Sequence, residues 1–294
     1  PRRFMLVDFH VHSTASDGTF SPGDLARRGR SFRAMALTDH DNCDGVEEFL
    51  DEPLAEEEPV RRFSGIELSI EPGAGFDKFH LLGIGVNPRH PGLRNFLQRV
   101  LDGRNARNER IRENFARIGI EIEADDIASY AYGDVLARPH FARWLVDHQY
   151  ASDVKTAFEN YLTPLSPPAT RCYEDRWHPS QEDSFRVIHE AGGLAIMAHP
   201  KYWGKDWKCV GPDYEKAARE LARLREVGLD GVESVYQANT TQENIEFTRI
   251  ALRLGYLTSA GSDFHGGNKP TIHLGMEVDE SFIRPLLERL VSVK

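Results

Sequence analysis

The chain has 294 residues, with 36 Lys and Arg against 46 Asp and Glu, so its formal charge is −10 with histidine neutral. Apolar residues make up 40% and charged residues 28%, which supplies a core for one large domain or two modest ones and excludes disordered, collagen-like and membrane-spanning classes. The acidic balance speaks against a long nucleic acid as ligand, because non-specific affinity for phosphate backbones comes from Lys and Arg.

Taken in chain order, short apolar runs alternate with helical patterns, the signature of a mostly parallel α/β sheet. Phe4 to Phe9 reads as a strand. Ser21-Pro22 is an N-cap with proline at the first helical position, and the helix is expected to run to about Arg33. Met35 to Thr38 is a second strand, and Asp44-Gly45 opens a helix through about Leu50. The acidic run Asp51 to Glu58 reads as a solvated loop, followed by strands at Arg62 to Ser69 and Phe79 to Val86, joined as a hairpin across Pro72 to Phe76. From about Pro88 the sequence turns charged and helix-rich, with helices at Leu93 to Ile118, Pro139 to Asp147 and Val154 to Tyr161 and a proline-rich loop after them. Residues 88–180 are therefore expected to be an inserted helical subdomain that caps the substrate, between barrel segments 1–87 and 181–294. Beyond it come a helix from Gln181 to Ala191, a strand Leu194 to Ala198, a helix Glu215 to Val227, a strand Gly231 to Tyr236, a helix Gln242 to Leu254 and a last inner strand Thr258 to Ser262. The apolar stretches are strand-sized, well short of the roughly 20 residues a membrane helix needs. No apolar targeting segment precedes the first strand, so the cytoplasm is the expected compartment. Cys43, Cys172 and Cys209 form no close pair, which argues against a disulfide framework or a Cys-based zinc site.

The twelve histidines are what composition leaves unexplained. His10 and His12 follow the first strand, Asp39-His40 the second, Glu67 lies within the third, His80 at the fourth, His199 after the fifth, and Asp263 with His265 after the last. Chance alone gives roughly 0.5 His-x-His pairs in such a chain, so one pair means little. Placement means more, because strand ends converge on one pocket in a β/α barrel and residues i and i+2 share a strand face. Imidazole and carboxylate together suit Zn, Mn, Fe and similar divalent ions. A hydrogen-bonded structural histidine remains the bland alternative for any one of them.

The run Asp8-Phe-His-Val-His12-Ser-Thr-Ala-Ser-Asp17-Gly18, with Leu37-Thr-Asp39-His40-Asp41, Gly65-Ile-Glu67, His80-Leu-Leu-Gly83, Ala198-His199-Pro200 and Gly261-Ser-Asp263-Phe-His265, resembles the PHP (polymerase and histidinol phosphatase) family, nearest its stand-alone metal-dependent phosphoesterases. Arg138-Pro-His140-Phe-Ala-Arg143 and Tyr161-Leu-Thr-Pro164 look like its small-phosphoester, nucleotide-type branch. The resemblance implies a distorted (β/α)7 barrel of TIM-like type and two or three divalent ions, Mn, Zn or Fe, in a trinuclear centre. By that resemblance His10, His12 and Asp263 hold one ion, His80 and His199 a second with Glu67 bridging, and Asp17, His40 and His265 a third. Six neutral imidazoles and three carboxylates around three divalent ions leave an electropositive pocket in an acidic chain, which suits a phosphate.

The activity this implies is hydrolysis of a small phosphorylated, nucleotide-like substrate, such as a nucleoside monophosphate, a 3′,5′-bisphosphonucleotide or a cyclic phosphate, by a metal-bridging hydroxide. Arg138 is the expected bidentate phosphate clamp, and His140 is expected to bind the same phosphate or protonate the leaving alkoxide. Asp39 is expected to orient the neighbouring ligand His40. Surface or core roles are expected for His90, His148, His178, His189 and His273. Trp203 and Trp207 sit in a loop that either covers the pocket or packs as core. The alternatives are a 5′-to-3′ exonuclease on short oligonucleotides, a histidinol phosphate phosphatase, and a non-catalytic metal-binding scaffold, which the complete donor set disfavours.

Overall fold

The computed structural model describes residues 3–54, 60–73, 76, 78–131, 135–202 and 213–292. Along them run β1 (Phe4–Asp8), α1 (Pro22–Arg28), β2 (Ala34–Ala36), α2 (Val46–Asp51), β3 (Arg61–Phe63), β4 (Gly65–Ser69) and β5 (His80–Ile84). A helical stretch follows: α3 (Pro91–Arg117), α4 (Ala124–Ala128), α5 (Arg138–Asp147) and α6 (Val154–Ala157), which continues as a π turn over Phe158–Leu162. The α/β alternation then resumes with α7 (Gln181–Glu190), β6 (Leu194–Met197), α8 (Tyr214–Glu226), β7 (Gly231–Tyr236), α9 (Thr241–Arg253), β8 (Leu257–Gly261), β9 (Met276–Asp279) and α10 (Glu280–Ser292).

Side-chain caps set where helices begin. The Ser21 hydroxyl accepts from the Asp24 amide at the start of α1, and Thr240 and Glu243 form a reciprocal capping box at α9. The end of α1 differs from expectation: it stops at Arg28 rather than near Arg33, because Gly29 closes the last turn and the chain folds back to bury Phe32.

The third expected strand is two strands. β3 pairs in parallel with β2, while β4 pairs antiparallel with β5. Between them Ser64 turns away, its carbonyl accepting from the Gly85 amide at 2.8 Å and its hydroxyl donating to the Val86 carbonyl at 2.5 Å. The ladders make a four-stranded sheet, β3-β2-β1-β9, and a five-stranded sheet, β4-β5-β6-β7-β8. They are two open sheets rather than one closed ring of seven strands. The antiparallel β4-β5-β6 pairings depart from an all-parallel pattern, and β9 is an antiparallel edge on β1.

The two sheets share one core. Val7, Phe9, Ala34, Ala36 and Phe63 from the first pack with Leu82, Ile84, Leu194, Ile196 and Ala260 from the second, and α10 covers them with Ile283, Leu286 and Leu290. Backbone bonds join the sheets beside this core, from the Phe9 amide to the Ala260 carbonyl and from the Asp263 amide to the His10 carbonyl. The helical stretch has its own core around Ile111, Phe115, Phe141 and Leu145. α3 joins that core to a further one on the second sheet, since its first half buries Leu93, Phe96 and Val100 with Ile66, Leu68 and Leu81 and its second half enters the helical core. No described helix is long and apolar enough to cross a membrane.

Candidate metal centre

The loops after β1 and β8 zip together by parallel pairing of Val11 with Phe264, and His40 bridges to Glu67. These pairings bring together residues spread over more than 250 positions. His12, Asp17, His40 and His265 form one group of potential donor atoms, His10, His12, Glu67 and Asp263 a second, and Glu67, His80 and His199 a third, the atoms of each lying within 4.8 Å of one another. The nine residues that the resemblance implies as ligands all belong to these groups, whereas Asp39, the other strand-end residue, belongs to none.

Glu67 sits at the middle. Its Oε2 lies 3.2 Å from His10 Nε2, 3.1 Å from His12 Nε2 and 3.0 Å from His40 Nδ1, while its Oε1 lies 2.8 Å from His80 Nδ1 and 3.1 Å from His199 Nε2. Each carboxylate oxygen thus faces a different set of imidazoles, as bridging requires. The grouping differs from the expected one in His12, which the geometry shares between the first two groups, and its ring is 4.0 Å from that of His265.

Six buried atoms here have no hydrogen-bond partner: His10 Nε2, both ring nitrogens of His12, Asp17 Oδ1, His40 Nδ1 and Glu67 Oε2. A buried polar atom left unpaired costs free energy, and a bound cation would satisfy a cluster of such donor atoms within reach of one another. Imidazole nitrogens with carboxylate oxygens are the donor set of divalent transition ions, so the residues fit such a group. Burial works to raise the Glu67 carboxyl, yet the surrounding imidazoles of His40, His10 and His80 hold it well below the usual carboxylate range. Burial and the neighbouring His265 and His40 push the His12 imidazole down to about 4, which keeps it neutral and ready to donate a lone pair. Asp41, His199 and Asp263 all have left-handed backbone angles, at φ of 56°, 26° and 60°, a strain that recurs at functional sites.

Further residues, not singled out in the sequence, hold this cluster in shape. Glu233 places its Oε1 3.0 Å from His10 Nδ1 and accepts the His199 amide at 2.7 Å, so it fixes the tautomer of one histidine and the backbone of another. Asp8 accepts from the amides of His10, Ser262 and Gly275 and from the Ser262 hydroxyl, stapling β1 to the β8 loop, and burial pushes its carboxyl up to about 6. The outer oxygen of Asp263 accepts from the Tyr236 hydroxyl at 3.0 Å and from Lys269 Nζ at 2.5 Å. Nothing in the sequence separates Glu233, a carboxylate within β7, from a solvent-facing strand position. Asp39 accepts from the Ser13 amide and from the hydroxyls of Ser13 and Ser16 at 2.7, 2.6 and 2.5 Å, so its described hydrogen bonds hold the β1 loop rather than His40.

Arg138 and His140 open α5. Arg138 donates to the Leu162 carbonyl at 3.2 Å and lies 5.3 Å over the Tyr173 ring, while His140 Nδ1 accepts the Ala137 amide at 3.0 Å. Burial and the nearby Arg143 push the His140 imidazole down to about 4, and Asp17 of the first donor group pulls the other way. The remaining described histidines lie elsewhere: His90 caps α3, His148 stacks on Trp144, His178 meets the Ser69 carbonyl, His189 pairs with Asp230, and His273 is exposed with its backbone bonded to the Gln237 side chain. Trp203 and Trp207 lie outside the described residues.

The PHP domain profile matches residues 8–161, from the first strand through the helical stretch. The chain belongs to the PHP domain family. It is 31% identical over 269 residues to a 3′,5′-nucleoside bisphosphate phosphatase of Chromobacterium violaceum, which spans 88% of this chain and 87% of that one. The 5′-3′ exoribonuclease Rnm of Salmonella typhimurium is 29% identical over 286 residues, covering 93% and 89%. Among solved structures, a protein of Bifidobacterium adolescentis assigned as a metal-dependent phosphoesterase superposes with a TM-score of 0.77 at 25% identity over 96% of both chains. Like these PHP relatives, the chain is a phosphoric ester hydrolase of the metal-dependent kind.

Proposed function

We propose that this PHP phosphoesterase hydrolyses a small, nucleotide-like phosphate ester, such as a nucleoside monophosphate, a 3′,5′-bisphosphonucleotide or a cyclic phosphate, at a centre of three divalent ions. The observation that carries it is the set of three overlapping donor groups around Glu67 with six orphaned atoms facing inward. In this reading His10, His12, Glu67 and Asp263 hold one ion, Glu67, His80 and His199 a second, and His12, Asp17, His40 and His265 a third, with Mn, Zn or Fe as the fitting metals. The two sheets form the halves of a distorted (β/α)7 arrangement, and residues 88–180 cover the substrate.

Bound there, divalent ions supply Lewis acidity to the phosphoryl oxygens and make water an effective nucleophile near neutral pH. The chain's own residues do the rest. Glu233 and Asp8 hold His10, His199 and the β8 loop so that the donors are preorganised. Arg138 presents a planar guanidinium to the non-bridging oxygens of the substrate phosphate. His140, neutral at pH 7, serves as a substrate contact, and Asp39 keeps the loop bearing Ser13 and Ser16 in place.

Release of inorganic phosphate, assayed with added manganese across nucleoside monophosphates, bisphosphates and sugar phosphates, tests the reading directly. Turnover of at least one nucleotide is expected, with Asp263→Ala and His265→Ala abolishing it in folded protein. Inactivity on the whole panel, or unchanged activity in those variants, overturns it. The likeness to Rnm favours a second reading, exonucleolytic cleavage of very short oligoribonucleotides, which stepwise release of 5′-nucleotides from an RNA trimer separates from phosphatase activity.

A further inference from the structure

The two oxygens of Asp263 have different surroundings. Oδ1 faces imidazoles of the donor groups, 3.6 Å from His10 Nε2, 3.4 Å from His12 Nε2 and 3.4 Å from His265 Nδ1. Oδ2 takes two other donors, the Tyr236 hydroxyl at 3.0 Å and Lys269 Nζ at 2.5 Å. Asp263 and Tyr236 are both buried, the latter on β7. Lys269 comes from the turn after His265, where its amide donates to the Gly266 carbonyl at 3.1 Å, and its side chain is 40% exposed. Among the described residues, Lys269 is the only lysine or arginine within ion-pair distance of any of the three donor carboxylates, Asp17, Glu67 and Asp263.

Fixing this carboxylate does not require a charge. The Tyr236 hydroxyl, a neutral donor on a buried ring, already restrains it, and a second neutral donor would complete that task. An ammonium does something that a neutral group cannot. Held against Oδ2, it draws electron density away from Oδ1, the oxygen that faces the donor groups. It also sets a positive charge beside a site built for cations, where partial burial limits screening by solvent and salt. Both effects weaken the hold of Asp263 on a divalent ion. A site that served only to bind metal tightly would gain nothing from them. A site that pulls on a phosphoryl oxygen gains from both, because a cation that receives less charge from its ligands is the stronger Lewis acid.

We propose that Lys269 is a positioning residue that acts through Asp263: with Tyr236 it confines Asp263 to donation through Oδ1, and its charge lowers the affinity for the divalent ion held there while making that ion a stronger electrophile. The gain in electrophilicity rests on the phosphoesterase reading of the donor groups; the effect on affinity does not.

Two measurements test it. Isothermal titration of the chelator-treated, full-length chain with manganese compares wild type with Lys269→Met and Lys269→Gln, which remove the charge, and with Lys269→Arg, which keeps it. Both neutral variants are expected to bind at least one manganese about fivefold or more tightly than wild type, and Lys269→Arg to stay within about twofold of it. Unchanged or weaker binding in the neutral variants makes the ammonium a structural staple, and tighter binding in all three traces the effect to shape instead of charge; either result overturns the proposal. The second measurement takes kcat and KM at saturating manganese, on a nucleotide that wild type turns over. In Lys269→Met, kcat is expected to fall about tenfold with KM changed less than about threefold. A rise in KM at unchanged kcat makes Lys269 a substrate contact, and tighter manganese binding with unchanged kinetics makes it a counter-ion of the metal-free site alone; each overturns the proposal while leaving the phosphoesterase reading intact. Should wild type turn over no phosphoester, the function reading fails and takes the electrophile half of the proposal with it, while the manganese titration still decides whether the Lys269 charge opposes the metal.

Discussion

His140 shows how a single side chain ties local geometry to a measurable pH dependence. Its Nδ1 accepts the Ala137 amide, which only the unprotonated ring can do, and burial with the nearby Arg143 brings the folded-state value to about 4 against 6.5 for a free imidazole. Between those values the unfolded chain binds a proton and the folded one does not, so the contribution to stability is complete above pH 6.5 and is lost as pH falls toward 4. Urea denaturation at pH 7 and pH 4.5 is expected to show wild type losing on the order of 2 kcal/mol more than His140→Gln over that interval; equal losses refute the assignment. Glu233 carries a second prediction at this scale. Glu233→Gln keeps the size but places an amide against His10 Nδ1 and the His199 amide, and it is expected to weaken manganese binding about 10- to 100-fold by isothermal titration. Eight of the nine donors were legible because each stands within a strand or near its end, where barrel-like folds gather function, while Asp17, nine residues past β1, was legible only through the family resemblance. Glu233 was not, because a carboxylate inside a strand reads as an alternate solvent-facing position until the fold shows that this face points to the centre. Asp39 was legible as a residue of the site but not in its partners, since adjacency to His40 in sequence turns its side chain toward Ser13 and Ser16.

At the scale of elements, capping and alternation made most of the helices and inner strands readable, and three places were not. The strand from Arg62 to Ser69 changes sheets at Ser64, which local propensity does not encode because both halves are equally strand-like. β9 is a four-residue edge with half-exposed, polar positions, and α10 carries Pro285 within it, so neither gives a clean period, though α10 supplies the apolar layer under both sheets. The π turn after α6 likewise follows a helical pattern and differs only in its hydrogen-bond step. Within β8, Gly261 links element to site. A Cβ there would lie 2.0 Å from Glu233 Oε1 and 2.4 Å from His10 Cβ, so any side chain pushes apart the very residues that orient the donors. Gly261→Ala is expected to cost about 3 kcal/mol in urea denaturation and to lower manganese affinity at the same time. A variant that loses neither shows that β7 and β8 can spread without disturbing His10.

For the molecule as a whole, the donor groups lie across the seam between the two sheets. His10, His12, Asp17 and His40 follow β1 and β2 of one sheet, whereas Glu67, His80, His199, Asp263 and His265 come from β4, β5, β6 and β8 of the other. The backbone bonds across that seam run from Phe9 to Ala260, Asp263 to His10 and His12 to Phe264 on one side, and from Asp41 to Glu67 and Glu67 to Asp39 on the other. Ions bound at these donors would therefore act as cross-links between sheets, and they would also relieve the mutual repulsion of Glu67, Asp17 and Asp263. A ligand at 1,000 times its Kd stabilises the folded state by about 4 kcal/mol, which for a chain of this size corresponds to a rise in Tm of about 7 °C for one ion. Manganese added to chelator-treated protein is expected to give at least that rise and to slow amide exchange selectively at Phe9, His12 and Asp263 while leaving the core of α3 unchanged. Asp263→Ala should abolish most of both effects. Protection gained uniformly over the chain, or a Tm rise that survives Asp263→Ala, would mean that metal stabilises the protein somewhere other than the seam, and the cross-linking role would have to be abandoned.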